Sequence, residues 1–106
     1  MNLLYYPNKF LSKTLDEVDI ENITFDTKDI KEQMLDIMLS NIGIGLSANQ
    51  VGLDYRLFVM GNTREDAVMC INPKVLQYTE TKSLDIEGCL SFPGINIQVQ
   101  RPRDIL

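Results

Sequence analysis

Five consecutive residues carry the densest chemistry in this chain: Glu87-Gly88-Cys89-Leu90-Ser91. Cys89 presents a thiol with a glycine on one side, a leucine on the other and an acid two positions upstream. Three roles are open to such a sulfur. It can be a metal ligand, a nucleophile, or a small packed hydrophobe, since free cysteine is among the most buried residue types. No histidine occurs anywhere in the 106 residues, which limits what can accompany the thiol.

A second stretch lies upstream, Gly43-Ile44-Gly45-Leu46-Ser47-Ala48-Asn49-Gln50-Val51-Gly52. Its glycines allow the backbone to approach another chain or a ligand closely. The segment lacks the Gly-Lys-Ser/Thr ending of a phosphate cradle and no strand precedes it, so phosphate binding is a weak reading. A glycine-rich turn between a helix and a strand accounts for it equally well.

The elements that must position these stretches follow from periodicity. Between Asp26 and Ile42, the residues Ile30, Met34, Ile37, Met38 and Ile42 share one face at helical spacing. Asp26 or Thr27 can cap the first turn, the acids Asp29 and Glu32 suit its positive end, and Gly43 is placed to end it. Before this helix, Leu3 to Phe25 shows no clean period and reads as an extended arm packed on the domain. Short strands are predicted over Arg56–Met60, Val68–Ile71, Lys74–Thr79 and Ser83–Ile86. Cys70 falls inside the second of these as a packed thiol. Ile95 to Arg101 alternates strictly, the mark of a strand with one buried face. One helix with several antiparallel strands gives an α+β fold, expected as a single domain over residues 1–106.

Composition narrows the function classes. A hydrophobic share of 44% and a charged share of 24% are those of an ordinary globular chain. The net charge of −5 disfavours nucleic acid or an anionic membrane surface as partner, because both reward Lys and Arg. No apolar run approaches the ~20 residues that span a bilayer. The first residues lack the basic start and apolar run of a secretory signal. Two cysteines in that setting point to a reducing, cytoplasmic compartment.

Taken together, the two stretches resemble the motifs of the peptide deformylase family. Gly43 to Gln50 matches G-x-G-L-A-A-x-Q with Ser47 where alanine is usual, and Glu87 to Ser91 matches E-G-C-L-S without change. Similarity elsewhere includes an early Leu-x-x-Pro, Gln50-Val51-Gly52 followed by Arg56, Asn72-Pro73, and Val99-x-Arg101. The resemblance implies hydrolytic removal of the formyl group from the N-terminal formyl-methionine of nascent polypeptides, with a divalent iron or zinc ion. It implies that Cys89 is a metal ligand and that Gln50 hydrogen-bonds the metal-bound water or the formyl oxygen. The Leu90 backbone N–H would stabilise that oxygen as it gains charge. Ile44, Gly45 and Leu46 would meet the peptide in strand-like fashion. Opposite charge suggests that Glu87 and Arg101 pair and brace the cysteine segment.

The family's third motif, H-E-x-x-H on a C-terminal helix, has no counterpart here. Both imidazole ligands and the catalytic glutamate are therefore missing. The fold expected is peptide-deformylase-like, with antiparallel sheets around one N-terminal helix and no C-terminal metal-binding helix. As a truncated chain it is expected to be inactive alone and not to hold iron or zinc stably. The partners implied are a formylated nascent peptide or the ribosome, without nucleic acid directly or membrane. The alternative is a metal-free peptide-binding or oligomerising remnant, with a homo-oligomer covering the vacated groove.

Overall fold

The computed structural model describes residues 1–106. Helix α1 spans Thr27–Ser40, with Asp26 as its N-cap accepting from the Asp29 N–H at 3.1 Å. Met34, Leu35 and Met38 form its buried face, and Ile30 and Ile37 pack at the margin. Each such side chain, taken fully out of water, contributes roughly 2–3 kcal/mol.

Ile42 corrects the sequence reading. It is 94% exposed, not on the core face. The helix has already ended: Asn41 is its C-cap, and Ile42 adopts a left-handed φ of 58°. The Gly43 N–H then returns to the Met38 carbonyl at 2.8 Å. The reversal that glycine was expected to supply falls one residue earlier, on Ile42.

Strands β1 (Gly45–Ser47), β2 (Leu57–Met60) and β3 (Val68–Ile71) form one antiparallel sheet in that order. Leu46 faces Val59, and Phe58 faces Cys70. The core joins α1 to this sheet through Leu46, Leu57 and Val59. The glycine-rich stretch is therefore not a plain turn. It supplies the edge strand β1 and a 3-10 turn, Ala48–Val51, closed by Gly52 at φ 76°.

The N-terminal arm packs as expected. It carries a 3-10 turn at Lys9–Ser12. Farther along, the Asn72 side chain bonds both the N–H and the carbonyl of Val18 at 2.8 Å each.

Strands β4 (Lys82–Cys89) and β5 (Phe92–Pro102) make a separate antiparallel ribbon with a bulge at Gly88/Cys89. Two further expectations change here. Lys74–Thr79 is not a strand, though its backbone pairs with Asp104 and Leu106 and Tyr78 bridges Ile105. The alternating run does form β5, yet neither face is buried: Ile95 is 55% and Ile97 59% exposed. Alternation sorts apolar from polar side chains, but burial also needs something to lie on the apolar side, and residues 1–106 place nothing there.

Candidate functional site

The two motif stretches meet in a cleft of about 870 Å³. Its walls come from the Asn41–Gly45 turn, Gln50, the Ile86–Cys89 end of β4 with Leu90 after it, and the start of β5. Sequence-predicted residues Ile44, Gly45, Gln50, Cys89 and Leu90 all line it, whereas the Leu46 side chain points into the core.

Gln50 is held at both ends of its carboxamide. Its Oε1 accepts from the Ser47 N–H at 3.0 Å and lies 3.1 Å from the Ser47 hydroxyl. That fixes Nε2 toward the cysteine segment, where it donates to Cys89 Sγ at 3.6 Å and Ser91 Oγ at 3.2 Å. Of these two bonds, the one to sulfur is the weaker. Cys89 is a free, exposed thiol.

The backbone donors at the cleft without a partner within the protein include the N–H groups of Ile44 and Leu90. The Ile44 carbonyl, by contrast, accepts from the Gly61 N–H at 3.0 Å. Antiparallel alternation then turns the backbone groups of Gly45 away from β2 toward the free edge of the sheet. Gly45 thus offers both backbone groups at that edge and Leu46 neither, while the Ile44 N–H stays unpaired. Unspent donors around a thiol, beside an open strand edge, suit an extended peptide with a carbonyl oxygen at its end.

Three contributors were not legible as site residues. Ser91 is the buried polar residue of the chain, 1% exposed, with its hydroxyl on Gln50 and its carbonyl on the Tyr6 N–H at 2.9 Å. Ser47 orients Gln50. Leu4 donates its N–H to the Gln50 carbonyl at 2.7 Å. Ser47 and Ser91 lie inside the motifs, but only a fold could assign them tasks, and a backbone N–H has no sequence signature at all.

Glu87 and Arg101 do pair, in a two-pronged bond of 2.6 and 2.7 Å. In the register Arg101 faces Ser83 and Glu87 faces Ile97, so the guanidinium reaches along the ribbon past the Asp85–Val99 row. The Arg101 hydrogen bond, helped by its charge, holds the Glu87 carboxyl below the ordinary value near 4.5. A depressed carboxylate contributes stability above its ordinary range and loses that contribution as pH falls through its folded-state value. Comparing Glu87→Gln with the parent by urea unfolding should show a constant deficit near neutrality that shrinks on acidification below about pH 4.5. A deficit that persisted unchanged down to pH 3 would show that the charge pair is not its source.

A divalent ion needs several donors, and no group of three His, Cys, Asp or Glu side chains in this structure could hold one. Cys89 contributes a single thiolate. The residues present do not by themselves fit a hydrolytic metal centre, which uses three protein ligands and an open position.

With this geometry in view, comparison with known proteins is direct. The family profile for polypeptide deformylase matches residues 1–106. A peptide deformylase from Finegoldia magna is 43% identical over 89 residues, covering 83% of this chain and 55% of that protein. One from Borreliella burgdorferi is 36% identical over 107 residues, covering all of this chain and 64% of its own length. The crystal structure of Arabidopsis thaliana peptide deformylase 1B with an inhibitor superposes with a TM-score of 0.86 at 36% identity, over 99% of this chain and 59% of that one. The Thermotoga maritima enzyme gives 0.86 at 33% identity, over 98% and 69%. The chain thus spans little more than half to about two thirds of these relatives. A profile that matches from the first residue to the last, over a fold these solved structures share, shows that the chain belongs to the polypeptide deformylase family.

Proposed function

We propose that residues 1–106 form the peptide-receiving part of a deformylase and are inactive without donors from outside this stretch. The observation that carries the reading is the meeting of Gln50 with Cys89 at 3.6 Å beside the unpartnered Ile44 and Leu90 N–H groups. Family membership supports the reaction class, hydrolysis of the formyl group from N-terminal formyl-methionine. The β1 edge at Ile44 and Gly45 receives the peptide backbone, while Leu46 anchors that strand in the core. Gln50 and the Leu90 N–H face the formyl oxygen, and Cys89 offers one thiolate toward iron or zinc. The partner on this reading is a formylated nascent chain at the ribosome, in a cytoplasmic, reducing setting where Cys89 stays a thiol.

Titrating a labelled chain with formyl-Met-Ala-Ser tests this without any metal. Amide shifts should concentrate at Ile44, Gly45, Gln50 and Leu90. The unformylated peptide should bind roughly tenfold more weakly, the loss of about one well-placed hydrogen bond. Shifts confined to other surfaces, or equal binding of both peptides, would count against the proposal.

A second reading draws on the uncovered β4–β5 ribbon, whose Ile95 and Ile97 are exposed on one face. A copy of the chain covering it would make an oligomer, with or without chemistry. Light scattering at increasing concentration decides: mass rising toward a dimer supports it, and a constant monomer mass removes it.

A further inference from the structure

The two halves of the candidate site stand on different sheets. Gln50 follows β1 of the three-stranded sheet, whereas Cys89 and Ser91 belong to the β4–β5 ribbon, and no strand is shared. No backbone hydrogen bond runs directly from the Gly45–Val51 stretch to Cys89–Ser91. Both are instead bonded to one short piece of the arm. The Leu4 N–H meets the Gln50 carbonyl at 2.7 Å, and the Tyr6 N–H meets the Ser91 carbonyl at 2.9 Å.

We infer that Leu3–Tyr6 is a positioning strap that sets Gln50 against Cys89. In extended backbone, N–H groups two residues apart point the same way. Leu4 and Tyr6 each donate to one of the two motif stretches, much as one edge of an added strand would. The strap is anchored at each end. Leu3 packs against the buried core, and the Tyr6 ring stacks on Phe92 with centroids 5.0 Å apart. The side chain between the two donors, Tyr5, lines the cleft. The Gln50 side chain then completes the junction with its bonds to Cys89 and Ser91. That this placement serves deformylation rests on the proposed function; the strap itself rests on the bonds.

The test removes one strap bond at a time from the 106-residue chain by replacing the Leu4 or the Tyr6 amide with an ester, which keeps every side chain. Solvent exchange of the Gln50 side-chain amide hydrogens is followed by NMR, with the backbone amides of β2 as reference. Each ester is expected to speed Gln50 exchange roughly fivefold, the effect of losing about one hydrogen bond, while β2 keeps its protection. Tyr6→Phe, which retains the ring and the N–H, should match the parent. Unchanged Gln50 exchange in either ester overturns the strap. An equal loss of protection in β2 also overturns it, because the arm would then support the whole fold and not the site. No formylated peptide enters the measurement, so its outcome is separate from that of the deformylase reading.

Discussion

Met38→Ala is expected to lower the free energy of unfolding by about 3 kcal/mol, within the roughly 2–5 kcal/mol range for truncating a fully buried methionine. Met38 has no exposed surface and packs in the cluster that joins α1 to β1 and β2. It also sits under the first motif. Its carbonyl accepts the Gly43 N–H at 2.8 Å, and a Cβ placed on Gly43 would lie 3.3 Å from its Cγ. The same added Cβ would come within 2.8 Å of Leu90 Cδ1, so this close approach ties helix, first motif and second motif together. A domain of this size has only about 5–15 kcal/mol in hand, so the loss is a large fraction of its stability. In urea the midpoint should fall with little change in slope. Met38→Leu, which keeps volume, should cost less than about 1.5 kcal/mol. A Met38→Ala loss below about 1 kcal/mol would place Met38 outside the structural core.

Much of the fold could be read from residues alone, for identifiable reasons. The Met34 and Met38 spacing with an Asp26 cap gave α1 nearly to its ends, because side-chain period and capping chemistry are both local. Strand β5 was visible in the alternation from Ile95 to Arg101, but its exposure was not, since burial depends on what lies opposite. Ile42 failed for a related reason. Helical spacing extends a stripe past the point where the backbone has turned, and an isoleucine at positive φ leaves no mark in the pattern.

The site divides along the same line. Cys89 and Gln50 were legible because their motifs name side chains, and Glu87 with Arg101 because opposite charges suggest a pair. Ser91, Ser47 and the amides of Leu4 and Tyr6 act through hydrogen bonds between residues distant in sequence. Such bonds emerge only when separate segments are brought together. The β1 edge shows the finer point: among Ile44, Gly45 and Leu46, the register decides which backbone groups remain free.

The other large effect concerns turnover. Enzymes of ordinary power accelerate reactions by about a millionfold or more over the uncatalysed rate. That acceleration here would require an ion held by several protein donors, and residues 1–106 contain no histidine and gather no three acidic or thiol side chains. On the proposed reading, a lone Cys89 thiolate would leave the remaining coordination to water and would not hold an ion firmly enough to present that water to a formyl carbon. A longer form of the chain that brings two imidazoles and a carboxylate to the Cys89 side of the ribbon should therefore differ from this stretch by orders of magnitude in rate.

The direct measurement loads the 106-residue chain with iron(II) or zinc(II), removes unbound metal by gel filtration, and then assays both metal content and formate release from formyl-Met-Ala-Ser. The expected result is well under one ion per chain and formate release no faster than in buffer. One retained ion per chain together with repeated turnover by residues 1–106 unaided would contradict it.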